Sequence, residues 1–310
     1  MSQLTFRVAA TLATTISCLA LFPAGAFANA KVCRSQEQRY VQIERQPSSI
    51  EMNAALFSAA DKGCLDLVKR LIEAGASVEA RDRLGAKPLA RAAAAGEPEI
   101  VTLLLDHGAP IDAQSLDGST ALTQAAEAGR LPVVRLLVER GAQVNLPGRT
   151  GITALSAAAY MGSLPIVQFL MEKGADPKLI DTTQKTAVVY AAARGFFPVV
   201  RLLLDQGIDV NAKYGNDLTA LMWAAGYSAE AGVNDVVEVM TLLIERGARL
   251  DEQDNRGRTA LMIAAELGHT PAVDLLLAHG ADKSLKDKQG KTAGDLTSLT
   301  ELRDKLAGRS

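Results

Sequence analysis

Catalysis needs nucleophiles, bases or metal ligands held close together, and this chain of 310 residues offers few. It has three histidines, His107, His269 and His279, and three cysteines, Cys18, Cys33 and Cys64. Their spacing fits no zinc pattern, in which Cys or His ligands come in close pairs. No Gly-x-Ser-x-Gly elbow and no phosphate-cradling glycine loop occurs. The carboxylates are plentiful but scattered over turn sequences, so no paired acid/base site stands out. His107 and His279 each precede a Gly-Ala that closes a helical pattern, where a partly charged imidazole suits the helix C-terminus. These residues predict neither an enzyme nor a metal or cofactor site.

What is concentrated is recognition chemistry. Tyr160, Phe169, Tyr190, Phe196, Phe197, Tyr214, Trp223 and Tyr227 fall within one stretch, with Met161 and Arg194 among them. Tyr, Trp, Arg and Met are enriched in interface cores and hot spots. The competing reading is that large rings fill gaps between helices, which suits Phe169.

The elements that must position them are short helices. Thr153 to Gly174, TALSAAAYMGSLPIVQFLMEKG, reads as helix, turn, helix and stop. Leu155, Ala158 and Ala159 form one apolar stripe; Ile166, Val167, Leu170 and Met171 form another. Gly162 ends the first helix, Pro165 fits the first turn of the second, and Gly174 closes it. Neither stripe could be buried alone, so the unit needs neighbours like itself. Thr-Ala-Leu recurs at Thr120, Thr153, Thr219 and Thr259, with Thr-Ala-Val at Thr186 and weaker copies at Lys87 and Ala54. The step is about 33 residues and breaks only between Thr219 and Thr259. The closing Gly-Ala recurs in register.

This pattern resembles the ankyrin repeat family from about Asn53 to Asp282. The resemblance implies an all-α solenoid of helix-turn-helix units joined by β-turn loops, and a protein-binding module without a fixed chemistry. It also implies that His269, which follows Gly268, is structural. The family's Thr-Pro-Leu-His becomes Thr-Ala-Leu followed by Thr123, Ser156, Met222 or Met262, so the His that braces the turn is replaced.

Counting from the turn Thr, the third, sixth, seventh and tenth residues make the core stripe, and the fifth, eighth and ninth point away from it. Tyr190 and Trp223 are fifth residues, Tyr160 an eighth, and Met161, Arg194 and Tyr227 ninths. By the family resemblance the first helix lines a concave groove. Tyr160, Met161, Tyr190, Arg194, Trp223 and Tyr227 are therefore expected to project into it, beside Tyr214 on a turn, as a partner-binding surface. The Thr219 unit is longer by seven residues around Gly226 to Asp235. Both helices would lengthen by a turn, or a loop would protrude beside the aromatics.

The N-terminus reads as an address. Arg7, an apolar run from Val8 to Phe27 and Ala28-Asn29-Ala30 predict a signal peptide, residues 1–30, cleaved after Ala30; an uncleaved anchor is the alternative. A lipoprotein would need Cys18 in a setting that lacks the expected Leu. Cleavage leaves Cys33 and Cys64, which an oxidising compartment would join unless both stay free thiols. Residues 31–52 are expected to form an N-terminal cap with Pro47-Ser48-Ser49 as its joint, 53–284 seven repeats, and 285–310 a partial repeat and C-terminal cap. Formal charge is −2 with acids and bases interleaved, which argues against nucleic acid. The expected protein is a periplasmic or secreted monomer, with no stable membrane insertion after cleavage, that binds, scaffolds or inhibits another protein such as a secreted enzyme or toxin. An accessory role in oxidative-stress defence and a secreted effector that binds a host protein are the alternatives.

Overall fold

The computed structural model describes residues 24–43, 48–227 and 231–308. The expected leader therefore lies outside the described residues up to position 23. Helix α1 (Ala24–Ile43) runs through the expected cleavage point at Ala30.

Seven helix pairs follow. They are α2 (Ser49–Asp61) with α3 (Leu65–Glu73), α4 (Pro88–Ala95) with α5 (Pro98–Asp106), and α6 (Ala121–Glu127) with α7 (Leu131–Glu139). Next come α8 (Ala154–Tyr160) with α9 (Leu164–Glu172) and α10 (Ala187–Ala193) with α11 (Phe197–Asp205). The last two are α12 (Ala220–Ala225) with α13 (Val233–Glu245) and α14 (Ala260–Leu267) with α15 (Thr270–Ala278). A short pair, α16 (Ala293–Leu296) and α17 (Thr300–Leu306), ends the array. First helices stack on first helices from α2 to α16, and second helices on second helices from α3 to α15.

The repeating residues account for each part of this unit. Thr120, Thr153, Thr219 and Thr259 cap their helices, each hydroxyl accepting from the N–H three residues on. Such a cap stabilises by about 1 kcal/mol. Where the family's His would brace the turn, Ser156 accepts from Thr153 N at 2.9 Å and closes a capping box. Met222 does the same more weakly, its Sδ lying 3.4 Å from Thr219 N. The sixth and seventh positions are alanines at 0 % exposure, among them Ala92, Ala93, Ala158, Ala159, Ala224 and Ala225. Their size lets neighbouring first helices approach closely. Leu104, Leu137, Leu170, Leu203, Leu243 and Leu276 of the second helices are equally buried, each worth roughly 1.5–3 kcal/mol of apolar transfer.

The turns before the first helices project as a row. In four of them an Asp carboxylate, Asp82, Asp181, Asp254 or Asp287, accepts backbone N–H groups two and four residues on. Each turn also bonds to the one before, as in Arg149 N to Asp117 O and Thr182 N to Thr150 O, at 2.9 and 2.8 Å.

The lengthened unit differs from the expectation that both helices grow by a turn. The first helix, α12, has only six residues, because Gly226 stops it. The second takes up part of the insertion, α13 having 13 residues against nine in α11. Its extra turn lies against α10. Asp235 Cβ lies 2.9 Å from where a side chain on Gly195 would begin, and Gly195 has φ +77°, so only glycine fits there. Residues 228–230 of the insertion lie outside the described residues.

At the N-terminal end α1 packs on α2, burying Tyr40 to 5 % exposure. Ser58 Oγ donates to Gln36 Oε1 at 3.0 Å, and Arg70 pairs with Glu37 at 3.0 Å. Cys33 and Cys64 are joined, S–S 2.11 Å. Ser48 caps α2 in a capping box with Glu51. At the other end Leu302 and Leu306 cover the last stack, and Lys305 reaches Asp274 at 2.5 Å.

Candidate protein interface

The face of interest is built from the fifth, eighth and ninth positions of the first helices. Tyr160 ends α8 at 41 % exposure, and Met161 beside it is 46 % exposed. Tyr190 comes from the next helix, and the two rings meet edge to face, centroids 5.8 Å apart at 90°. The Arg194 guanidinium lies 4.5 Å above the Tyr160 ring and 5.5 Å from that of Phe196. Lys185 Nζ lies 4.8 Å from the Trp223 ring and 5.7 Å from that of Tyr190. Tyr160, Met161, Tyr190, Arg194 and Trp223 thus form one continuous surface over α8, α10 and α12. Two cations alternate with its rings, an arrangement of about 0.5–1 kcal/mol per contact at exposed sites.

Tyr190 is fixed from below. Its hydroxyl donates to Asp181 Oδ2, the Asp belonging to the turn that feeds α10. Burial and the adjacent Asp181 carboxylate together hold the phenol well above its ordinary pKa, so it stays a donor. Burial also pushes Asp181 up, but the bonds from Tyr190, Lys185 N and Thr183 outweigh it and the carboxyl titrates below its usual range. An equivalent bond joins Arg91 to Asp82 three positions earlier in the row.

Two predicted site residues do not share this surface in the expected way. Tyr227 is 8 % exposed. Its ring stacks on His269, centroids 3.8 Å apart at 20°, and His269 Nδ1 lies 2.9 Å from Ala225 O. The reason is local: α12 ends at Ala225, so counting 100° per residue does not extend to Tyr227. Tyr214 is half-buried. It takes the slot that Asp fills in other turns, with its N–H on Leu218 O at 2.9 Å, and burial pushes its phenol pKa up. Trp223 is half-buried, and its Nε1 is buried without a hydrogen-bond partner among the described residues.

Sequence reasoning also missed a pocket of about 340 Å³ between α6, α8 and α10, lined by Asp117, Glu127, Gly148, Ala157, Tyr160 and Tyr190 among others. It exists because two side chains are missing. The turn slot of Asp82 and Asp181 is Gly148 here, and the helix slot of Arg91 and Tyr190 is Ala157. The signal was present in the register of the repeats. Among the described residues no group of three His, Cys, Asp or Glu could hold a metal, and no helix is long and apolar enough to cross a membrane.

Stacked helix pairs and a bonded row of turns define a repeat scaffold of the protein-binding kind. The chain belongs to the ankyrin repeat family: "Ankyrin repeats (3 copies)" matches residues 52–148, 91–181, 155–234 and 214–287. It is similar to the mouse ankyrin repeat domain-containing protein 63, 40 % identical over 74 residues, 24 % of this chain and 18 % of that protein. A stretch of 86 residues is 41 % identical to the mouse ankyrin repeat and SAM domain-containing protein 6, covering 27 % of this chain and 9 % of the relative. The chain thus spans less than a fifth of either relative's length. A nematode L-asparaginase from Dirofilaria immitis matches over 76 residues at 36 % identity, 24 % of this chain and 12 % of the enzyme. The human ASB11 ankyrin repeat domain superposes with a TM-score of 0.65 and 26 % identity, covering 73 % of this chain and 98 % of that domain.

Proposed function

We propose that this is an exported ankyrin module that binds another protein in the periplasm or outside the cell, so as to hold, scaffold or inhibit it; a secreted enzyme or toxin is the class of partner that fits. The carrying observation is the train of rings and cations from Arg194 through Tyr160 and Tyr190 to Lys185 and Trp223. It is partly exposed, yet locked by helix stacking and by the Asp181 bond. A surface already held in place loses little side-chain entropy on docking. Export is supported by the N-terminal address and by the Cys33–Cys64 bond, which belongs to an oxidising compartment.

Two measurements test this. N-terminal sequencing of fractionated cells should find the protein outside the cytoplasm and beginning at Lys31; a cytoplasmic chain beginning at Met1 would defeat the export half. Affinity capture from the same fraction, repeated with Tyr160→Ala, should recover a partner with the parent protein and lose it with the variant. A partner held equally well by both would place the docking surface elsewhere.

A further inference from the structure

We propose that the pocket between α6, α8 and α10 receives one arginine side chain from the partner's docking segment, an inference that rests on the ring-bearing face being the docking surface.

The shape of the pocket records what is absent. In the second and fifth repeats a turn carboxylate bonds the residue nine positions on, Asp82 with Arg91 and Asp181 with Tyr190. In the fourth repeat the same two slots hold Gly148 and Ala157, so both halves of the pair are missing and the space stays open. At about 340 Å³ it lies near the lower end of ligand pockets, roughly 300–1,000 Å³, which suits one long side chain better than a cofactor.

The walls carry one sign of charge. Asp117 and Glu127 line the pocket, and no Lys or Arg does. Asp117 accepts from Ser115 and Ser119, which keep it ionised. Tyr160 and Tyr190 also line it, the Tyr190 hydroxyl donating to Asp181. Carboxylates and rings lining the same pocket suit a planar guanidinium, which stacks on aromatic faces and donates in a fork to carboxylates. Lysine would satisfy the charge but neither the stacking nor the fork. The array itself supplies the precedent: the corresponding helix slot in the second repeat is filled by Arg91, with its guanidinium on a carboxylate.

The test uses the full-length oxidised protein and N-acetyl-arginine amide as probe, with the norleucine and lysine amides as controls, read by amide chemical shifts. Saturable shifts at Gly148, Ala157 and Tyr190 are expected with the arginine probe alone, weakening in high salt. Glu127→Gln should weaken binding about tenfold, as expected for loss of a charge-assisted hydrogen bond. Ala157→Gln should fill the pocket and abolish the shifts with the melting temperature unchanged. Equal shifts from the norleucine probe, or arginine binding undiminished in folded Ala157→Gln, would overturn the proposal. The captured partner separates the two readings. Loss of the partner from both Tyr160→Ala and Ala157→Gln supports the pocket. Loss from Tyr160→Ala alone overturns the pocket and leaves the docking surface standing. Retention by both overturns both.

Discussion

Tyr160 and Tyr227 look alike on a helical wheel and differ in the molecule. Tyr160 is exposed with its ring between Arg194 and Tyr190, so Tyr160→Ala should lower stability by less than about 1 kcal/mol. Tyr227 is buried against His269, so Tyr227→Ala should lower it by about 3 kcal/mol, as large-to-small aromatic changes in cores do. Urea midpoints of the two variants decide it, and a reversed order would show the rings to be misassigned. Titration offers a second check. Asp82, Asp117 and Asp181 all titrate below their ordinary range. A carboxyl with a depressed folded pKa adds stability above its unfolded value, near 3.9, and gives it up as pH falls through the folded one. Melting temperature should therefore fall below about pH 4, and less steeply in Asp181→Asn. Tyr190 works in the opposite sense: its raised pKa contributes stability below about pH 10 that is lost above it, a limb that Tyr190→Phe should flatten. An unchanged acid limb in Asp181→Asn would remove that carboxylate from the account.

The short helices were the most legible part of the chain, because each carries its own boundaries. Thr before Ala-Leu is the N-cap, Pro sits in the first turn of most second helices, and Gly follows the last turn. Thr153→Ala should cost about 1 kcal/mol by removing one cap, measurable as a shift in denaturant midpoint without change in slope. The insertion was not legible. Seven residues keep helical phase whichever helix receives them, and only Gly226 decides that α12 stops while α13 grows. That extra turn rests on Gly195, so Gly195→Ala should cost about 1–2 kcal/mol from its left-handed backbone alone, more if Asp235 cannot move. No loss would mean that α13 does not seat there. The site was half legible for the same reason. Periodicity placed Tyr160, Met161, Tyr190 and Arg194 on one face, but it could not turn Tyr227 inward beyond a helix end. A pocket made of absences, Gly148 and Ala157, carries no residue that calls for notice.

Across the whole molecule each unit touches only its neighbours, so stability is a sum of local terms and the ends lack one contact each. The two ends are closed differently. The C-terminal pair is held by packing and by the exposed Lys305–Asp274 ion pair. The N-terminal helix is held covalently, across a separation of 31 residues, which in the chain-entropy account contributes about 3–4 kcal/mol. Reduction should remove that amount and raise hydrogen exchange in α1 to α3 alone; a uniform rise would show longer-range coupling. The oxidised array therefore has a direction. Left to itself it should open at the α16–α17 pair before α1, and a protease or an unfolding motor should advance much faster through α17 and α16 than through α1. The ring-bearing units lie midway, so a chain nicked or frayed at its tail would still present its binding face intact.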